Sequence, residues 1–102
     1  MAANEVRIVD NPDERRYELW LGEARAGYLA YRRRPDAVVL VHTEVDPAHE
    51  GEGLGSRLIA GALADLRRRG LKVRPLCPFV TGYLRRHPEH GDLVVQDPAV
   101  GD

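Results

Sequence analysis

The sequence predicts one compact domain of mixed α/β (α+β) class, with an antiparallel N-terminal sheet, a parallel strand-helix-strand unit and a short C-terminal helix. Three observations predict it. Apolar and polar side chains alternate as far as Tyr31, the period of a sheet with one wet face. The unbroken apolar run Val38-Val39-Leu40-Val41 then marks a central strand. From Gly53 to Arg69 the apolar spacing lengthens to about 3.6 residues, the period of a helix. With 102 residues, 43% of them apolar and 30% charged, the chain supports one modest core and not two. No linker or repeat divides it, and the ordered core is expected over residues 5–96.

Val6, Ile8 and Val9 open the first strand, which the turn-prone Asp10-Asn11-Pro12-Asp13 ends. Tyr17, Leu19 and Leu21 alternate with Glu18 and Trp20 in a second strand. Gly22-Glu23-Ala24 turns the chain back into a third, Arg25 to Tyr31. Arg32-Arg33-Arg34-Pro35-Asp36 separates this hairpin from the apolar strand, which runs toward Val45. In the helix, Leu54, Leu58, Ile59, Ala62, Leu63 and Leu66 share one side, and Arg57, Gly61, Ala64 and Arg68 the other. Gly70 is placed to stop it, and Arg67-Arg68-Arg69 sit where the helix dipole favours positive charge. Leu71 to Leu76 reads as a strand made parallel to the apolar one by a right-handed crossover. Phe79 to Arg86 reads as a short helix and Leu93-Val94-Val95 as a weak last strand.

Fifteen Lys and Arg against 16 Asp and Glu give a net charge of -1, which offers nucleic acid no general attraction. The clusters Arg32-Arg33-Arg34, Arg67-Arg68-Arg69 and Arg85-Arg86, with Tyr17, Trp20 or Tyr31 for stacking, are the ingredients of an RNA-binding alternative. Abundant acidic residues and helix-end positions account for them without RNA. No apolar run approaches the ~18 residues of a membrane span, and no apolar leader follows the first residues. A soluble cytoplasmic protein without a membrane partner is expected. The single cysteine, Cys77, excludes an intrachain disulfide and a cysteine-only metal cage. His49, His87 and His90 are irregularly spaced around Pro88, so no metal site is expected.

The most informative segment is Glu50-Gly51-Glu52-Gly53-Leu54-Gly55, between the apolar strand and the helix. Alternate glycines leave backbone amides uncovered, and free amides at a first helical turn hold phosphate groups. The same glycines also serve a plain strand-to-helix turn. No Gly-Lys-Ser/Thr follows, and the spacing differs from the dinucleotide fingerprint, so ATP and NAD are poor candidates.

Glu50-x-x-Gly53-x-Gly55 resembles the pyrophosphate loop of the Gcn5-related acetyltransferase superfamily, whose usual first residue is Gln or Arg. His42-Thr43-Glu44-Val45 before the loop, and Cys77-Pro78-Phe79-Val80, Tyr83-Leu84 and His87-Pro88-Glu89 after it, resemble the small, minimal members of that superfamily. The likeness runs from about residue 6 to residue 95. It implies acetyl-CoA or coenzyme A as cofactor, an acetyltransferase fold, and acetyl transfer to an amine of a small molecule or protein. It also implies cofactor contacts at Val45, Glu50, Gly51, Glu52, Gly53, Leu54, Gly55, Ser56, Arg57, Cys77 and Phe79. A carboxylate at Glu50 does not attract pyrophosphate, so the amides from Glu52 to Ser56 carry more of the binding. Arg57 compensates if it points toward the loop. A noncatalytic coenzyme-binding or protein-interaction module is the alternative, and an exposed sheet edge leaves room for a homodimer.

Four side chains are candidates for the chemistry. Cys77, between a strand end and a helix start, is either a packed thiol or a reactive one that accepts acetyl or protonates the leaving sulfur. His42 and Glu44, two apart on one strand, share a face and are candidate general bases, with Thr43 pointing away. Tyr83 keeps its phenolic proton at neutral pH and is a candidate leaving-group acid. So short a chain leaves little for an elaborate acceptor wall, so the acceptor site is expected to be open or completed by a partner.

Overall fold

The computed structural model describes residues 5–95, so Gln96, the expected end of the core, lies outside the described residues. Strands β1 (Val6–Asn11), β2 (Arg16–Leu21), β3 (Ala24–Arg33), β4 (Val38–Val45) and β5 (Val73–Pro75) form one sheet in chain order. The first four pair antiparallel, whereas β5 runs parallel to β4. Helix α1 (Leu54–Arg68) connects those two strands, and α2 (Pro78–Arg86) follows β5. This is the mixed α/β arrangement that the change of period predicts.

Both helices pack on the same sheet face. Leu58, Ile59, Ala62 and Leu63 of α1 and Val80 of α2 are fully buried in one cluster with Leu19, Leu29 and Leu40 of the sheet. Each large aliphatic side chain so covered contributes about 1.5–3 kcal/mol. The opposite sheet face carries no helix among the described residues. Gly61, expected on the solvent side of α1, instead lies against Ile8 of the edge strand.

The C-terminal end of α1 is fixed to the sheet by a polar network. Tyr17 donates to Asp65 at 2.6 Å and Tyr31 to Asp10 at 2.5 Å, while Arg69 spans Asp10 and Asp65 at 2.9 and 3.1 Å. Burial, with the adjoining carboxylates, holds both phenols far above their ordinary value, so they remain donors. On the opposite face the buried Glu18 carboxylate accepts from Arg16, Asn11 and Trp20. Burial alone raises its proton affinity, but those donors outweigh it and hold the carboxyl below its ordinary value.

Several boundaries differ from the sequence reading. Asn11 stays in β1 and the turn occupies the residues after it, with Arg15 taking a positive φ of 56°. β5 is three residues long, not Leu71 to Leu76. Leu71 is held by α1's ending, its amide bonding Leu66 O at 2.9 Å while the Gly70 amide bonds Arg67 O. At the far end Pro75 has no N–H to extend a ladder. The expected last strand becomes a 3₁₀ segment, Pro88–Leu93, followed by one parallel bridge between Val73 and Val94.

Candidate functional site

β4 and β5 pair only from Val38↔Val73 to Leu40↔Pro75. The Leu40 carbonyl accepts from Leu76 N at 2.9 Å and from Cys77 N at 3.1 Å, which turns the chain into α2 while β4 continues to Val45. The strands part there. A register shift between Ala30 and Tyr31 leaves Val41 without a partner on β3, so β4 carries a bulge just where it loses β5. The bulge exchanges the faces of β4: Val38 and Leu40 point into the core before it, Thr43 and Val45 after it.

Cys77 is the N-cap of α2 and is buried at this parting. Its sulfur lies 3.4 Å from the Thr43 hydroxyl. Burial pushes the thiol up, but the Thr43 hydroxyl and the amides of Val80, Phe79 and Thr43 outweigh it and hold the thiol below its ordinary value. Thr43 is therefore on the thiol's side, not pointing away as alternation along an unbroken strand implied.

The glycine turn closes the other side. Asp46 accepts from Ala48 N at 3.0 Å and starts a 3₁₀ turn, Pro47–His49. Gly51 and Gly53 then take φ of 86° and 75°, a region other residues enter at a cost. Gly53 caps α1 without any side-chain hydrogen bond, so the first-turn amides have no partner inside the helix. Gly55 is needed for a different reason: a Cβ there would lie 2.6 Å from the Phe79 ring. The result is a cleft of 420 Å³ lined by Thr43, Val45, Leu54, Gly55, Ser56 and Phe79, with the Phe79 ring against Gly55. His49, Glu50, Gly51 and Gly53 complete its rim.

Two loop residues lie elsewhere. Arg57 and Glu52 line a neighbouring depression beside Val6, Leu21 and Ala24. Glu52 also lies 3.2 Å from His49 Nδ1. The cradle fits a phosphate through its amides, with the Glu50 carboxylate on the rim working against it. His49, considered in sequence only as a metal ligand, belongs to this cleft; its position just before the glycines was the available signal.

His42 and Glu44 do share a face, with His42 Nε2 3.9 Å from Glu44 Oε1, but it is the exposed face turned away from Cys77. Tyr28, which the sequence did not single out, donates to Glu44 at 2.7 Å and sets its ring 6.1 Å from that of His42. The hydrogen bond to Glu44, with some burial, raises the Tyr28 phenol. Tyr83 is buried and stacks on His87, ring centroids 4.2 Å apart, with its phenol pushed up by burial and by Glu89. Among the described residues no group of three or more His, Cys, Asp or Glu side chains is placed to hold a metal ion. No described helix is long and apolar enough to cross a membrane.

The fold has counterparts among known proteins. The family model for GCN5-related N-acetyltransferases matches residues 16–93. The chain belongs to this family. The family's fold extends over nearly the whole chain in a GCN5-like protein from Staphylococcus aureus, solved by NMR, which is 20% identical, with 95% of this chain and 93% of that one covered at a TM-score of 0.69. Ard1 from Thermoplasma volcanium is 18% identical, covering 62% of this chain and 44% of its own, at a TM-score of 0.53. A GNAT-family protein from Desulfovibrio desulfuricans is 23% identical, covering 74% and 52%, at a TM-score of 0.52. The chain thus spans about half the length of these last two GNAT-fold proteins. No curated protein sequence matches it significantly.

Proposed function

We propose that the chain is an acetyl-CoA-dependent N-acetyltransferase, with the pyrophosphate of the cofactor held by the amides from Gly53 to Ser56, the Glu52 amide being taken by the His49 carbonyl, and its acyl end at Cys77. One observation carries the reading: the glycine cleft and the Cys77 sulfur meet on the same side of the β4/β5 parting, joined through Thr43. Gly51 and Gly53 set the cradle, and Gly55 lets the Phe79 ring pack directly on the first turn of α1 at the edge of the cleft. Bound acetyl-CoA supplies an activated thioester.

The Thr43 hydroxyl and the backbone amides that converge on the Cys77 sulfur favour its thiolate, which supports a nucleophilic role for it. Its sulfur would bond the acetyl carbon as the thioester C–S bond breaks, the leaving coenzyme A thiolate taking its proton from solvent. A neutral acceptor amine then forms the C–N bond, restoring the Cys77 thiolate. Glu44 and His42, supported by Tyr28 on the face of β4 turned away from Cys77, take the proton that the amine gives up as it enters the β4/β5 parting from that face. Tyr83 is assigned to core packing beside His87.

Calorimetry with coenzyme A and acetyl-CoA tests the cofactor, with saturable binding expected. Intact-mass measurement after mixing with acetyl-CoA tests the thiol: one acetyl group on the wild type and none on Cys77→Ala. A folded protein that binds neither cofactor overturns the whole reading. Cofactor binding with no transfer to Cys77 or to any amine leaves a noncatalytic binding module in its place.

A further inference from the structure

The open face of the sheet holds a second depression, away from the glycine cleft. It has a volume of 480 Å³ over the β3, β4 and β5 end of the sheet, with Val39, Val41 and Leu76 as an apolar floor and Arg32 and Arg34 at its rim. Leu76, directly after the edge strand β5, is 67% exposed although it is a large apolar side chain. Arg74, also at the rim, is engaged by Asp36 at 2.6 Å. Arg32 and Arg34 are exposed, and neither forms an ion pair among the described residues.

We propose that this groove binds a small organic anion with an apolar body, its acid group on Arg32 and Arg34 and its body on Val39, Val41 and Leu76. Charge complementarity selects the ligand: the guanidiniums of Arg32, Arg34 and Arg74 outnumber the Asp36 carboxylate in the lining, so the rim around the apolar floor stays positive in a protein whose net charge is -1. A cationic ligand is repelled by that rim, and a polar one leaves the floor unmatched. The volume suits a small molecule, and planar guanidinium forks suit a carboxylate.

The position of the groove ties it to the acyl site. Leu76 and Cys77 are successive residues whose amides share the Leu40 carbonyl, and their side chains emerge on opposite sides of the sheet. Val41 is followed directly by His42. The groove therefore reaches the β4/β5 parting from the side opposite the cofactor cleft. Resting on the acetyl-transfer reading, its ligand is the acceptor: an ω-amino acid whose linear apolar chain lies on the floor, acid group on the arginines and amine near His42 and Glu44.

The test is an NMR titration of ¹⁵N-labelled protein without coenzyme A, using hexanoate, 6-aminohexanoate, hexylamine and acetate. Hexanoate is expected to shift the amides of Val39, Val41, Arg74 and Leu76 saturably, and acetate and hexylamine are not. The exposed pair Arg32→Ala/Arg34→Ala is expected to weaken hexanoate binding about tenfold or more. No saturable shift, equal binding of hexylamine, or unchanged affinity in the double variant overturns the site. Signals in the groove that move with protein concentration instead of ligand assign it to a second copy and also overturn it. Coenzyme A is titrated separately against the Gly51 to Ser56 amides, so failure of the cofactor reading leaves the hexanoate result standing. With acetyl-CoA added, 6-aminohexanoate is expected to be acetylated faster than hexylamine; the reverse order removes the acceptor assignment.

Discussion

The Thr43 hydroxyl lies 3.4 Å from the Cys77 sulfur, across 34 positions of sequence. The contact exists because the β4 bulge at Val41 turns Thr43 toward the core side just as β5 ends at Pro75. Thr43→Val keeps the shape and removes the hydroxyl, leaving burial opposed only by backbone amides. The Cys77 pKa is therefore expected to rise, with less thiolate at neutral pH. Ultraviolet thiolate absorbance against pH measures this cleanly, since Cys77 is the only cysteine. An unchanged midpoint would show that the hydroxyl contributes nothing.

Gly55→Ala tests whether the close packing of Phe79 on Gly55 shapes the cofactor cleft. The new methyl would approach the ring to 2.6 Å. Phe79 is 41% exposed and its ring tip has room to swing away, so thermal stability is expected to change by less than about 1 kcal/mol. Coenzyme A affinity is expected to fall about tenfold, as the displaced ring occupies the cleft. Phe79→Ala in the same chain is expected to recover part of that loss, measured by calorimetry. Full affinity in the single variant would place the cofactor elsewhere.

Much of this arrangement is legible in the sequence, and the misses share a cause. Leu54, Leu58, Ile59, Ala62, Leu63 and Leu66 announce α1 because burial follows the helical period, and all six are buried. The bulge leaves no such mark. Val38 to Val41 are all apolar, so nothing in their pattern records that one of them lacks a partner. Every side chain after it changes face, which puts Thr43 in the cleft and His42 and Glu44 outside. Gly61 was read by period alone, while its environment is set by the distant strand β1. Tyr28 joins Glu44 through cross-strand register, which local sequence does not encode.

Glu18 stabilises the fold in a pH-dependent way. Arg16 reaches it at 2.8 Å, and Asn11 and Trp20 each donate at 3.0 Å. Glu18→Ala strands these donors and is expected to cost about 2–4 kcal/mol in urea denaturation. Because the folded carboxyl titrates below its ordinary value of 4.5, the unfolded chain binds more protons as acid is added. The stabilisation is complete above the unfolded pKa and is lost as pH falls through the lower folded one. The stability gap between wild type and Glu18→Gln is thus expected to be constant at neutral pH and to shrink below about pH 4.5. A gap independent of pH would remove the charge from the explanation.

Gly61→Ala sets helix propensity against packing. Alanine in mid-helix gains about 1 kcal/mol over glycine. Here its Cβ would lie 2.7 Å from Ile8 Cγ1, 3.0 Å from Cβ and 3.1 Å from Cγ2. These atoms adjoin the β1 backbone and cannot swing clear as a ring tip does, so the strand itself must shift. Overpacking of this kind costs about 1–3 kcal/mol, and β1, an edge strand paired with β2 alone among the described residues, is the element that yields. The expected result is net destabilisation of about 1 kcal/mol, the packing term outweighing the propensity term. Trimming the obstacle tests the cause. In an Ile8→Ala background, where both γ carbons are gone, Gly61→Ala is expected to be neutral or stabilising. A double-mutant cycle in denaturant reads the difference, and simple additivity of the two changes would mean that the helix and the edge strand are not in the contact described.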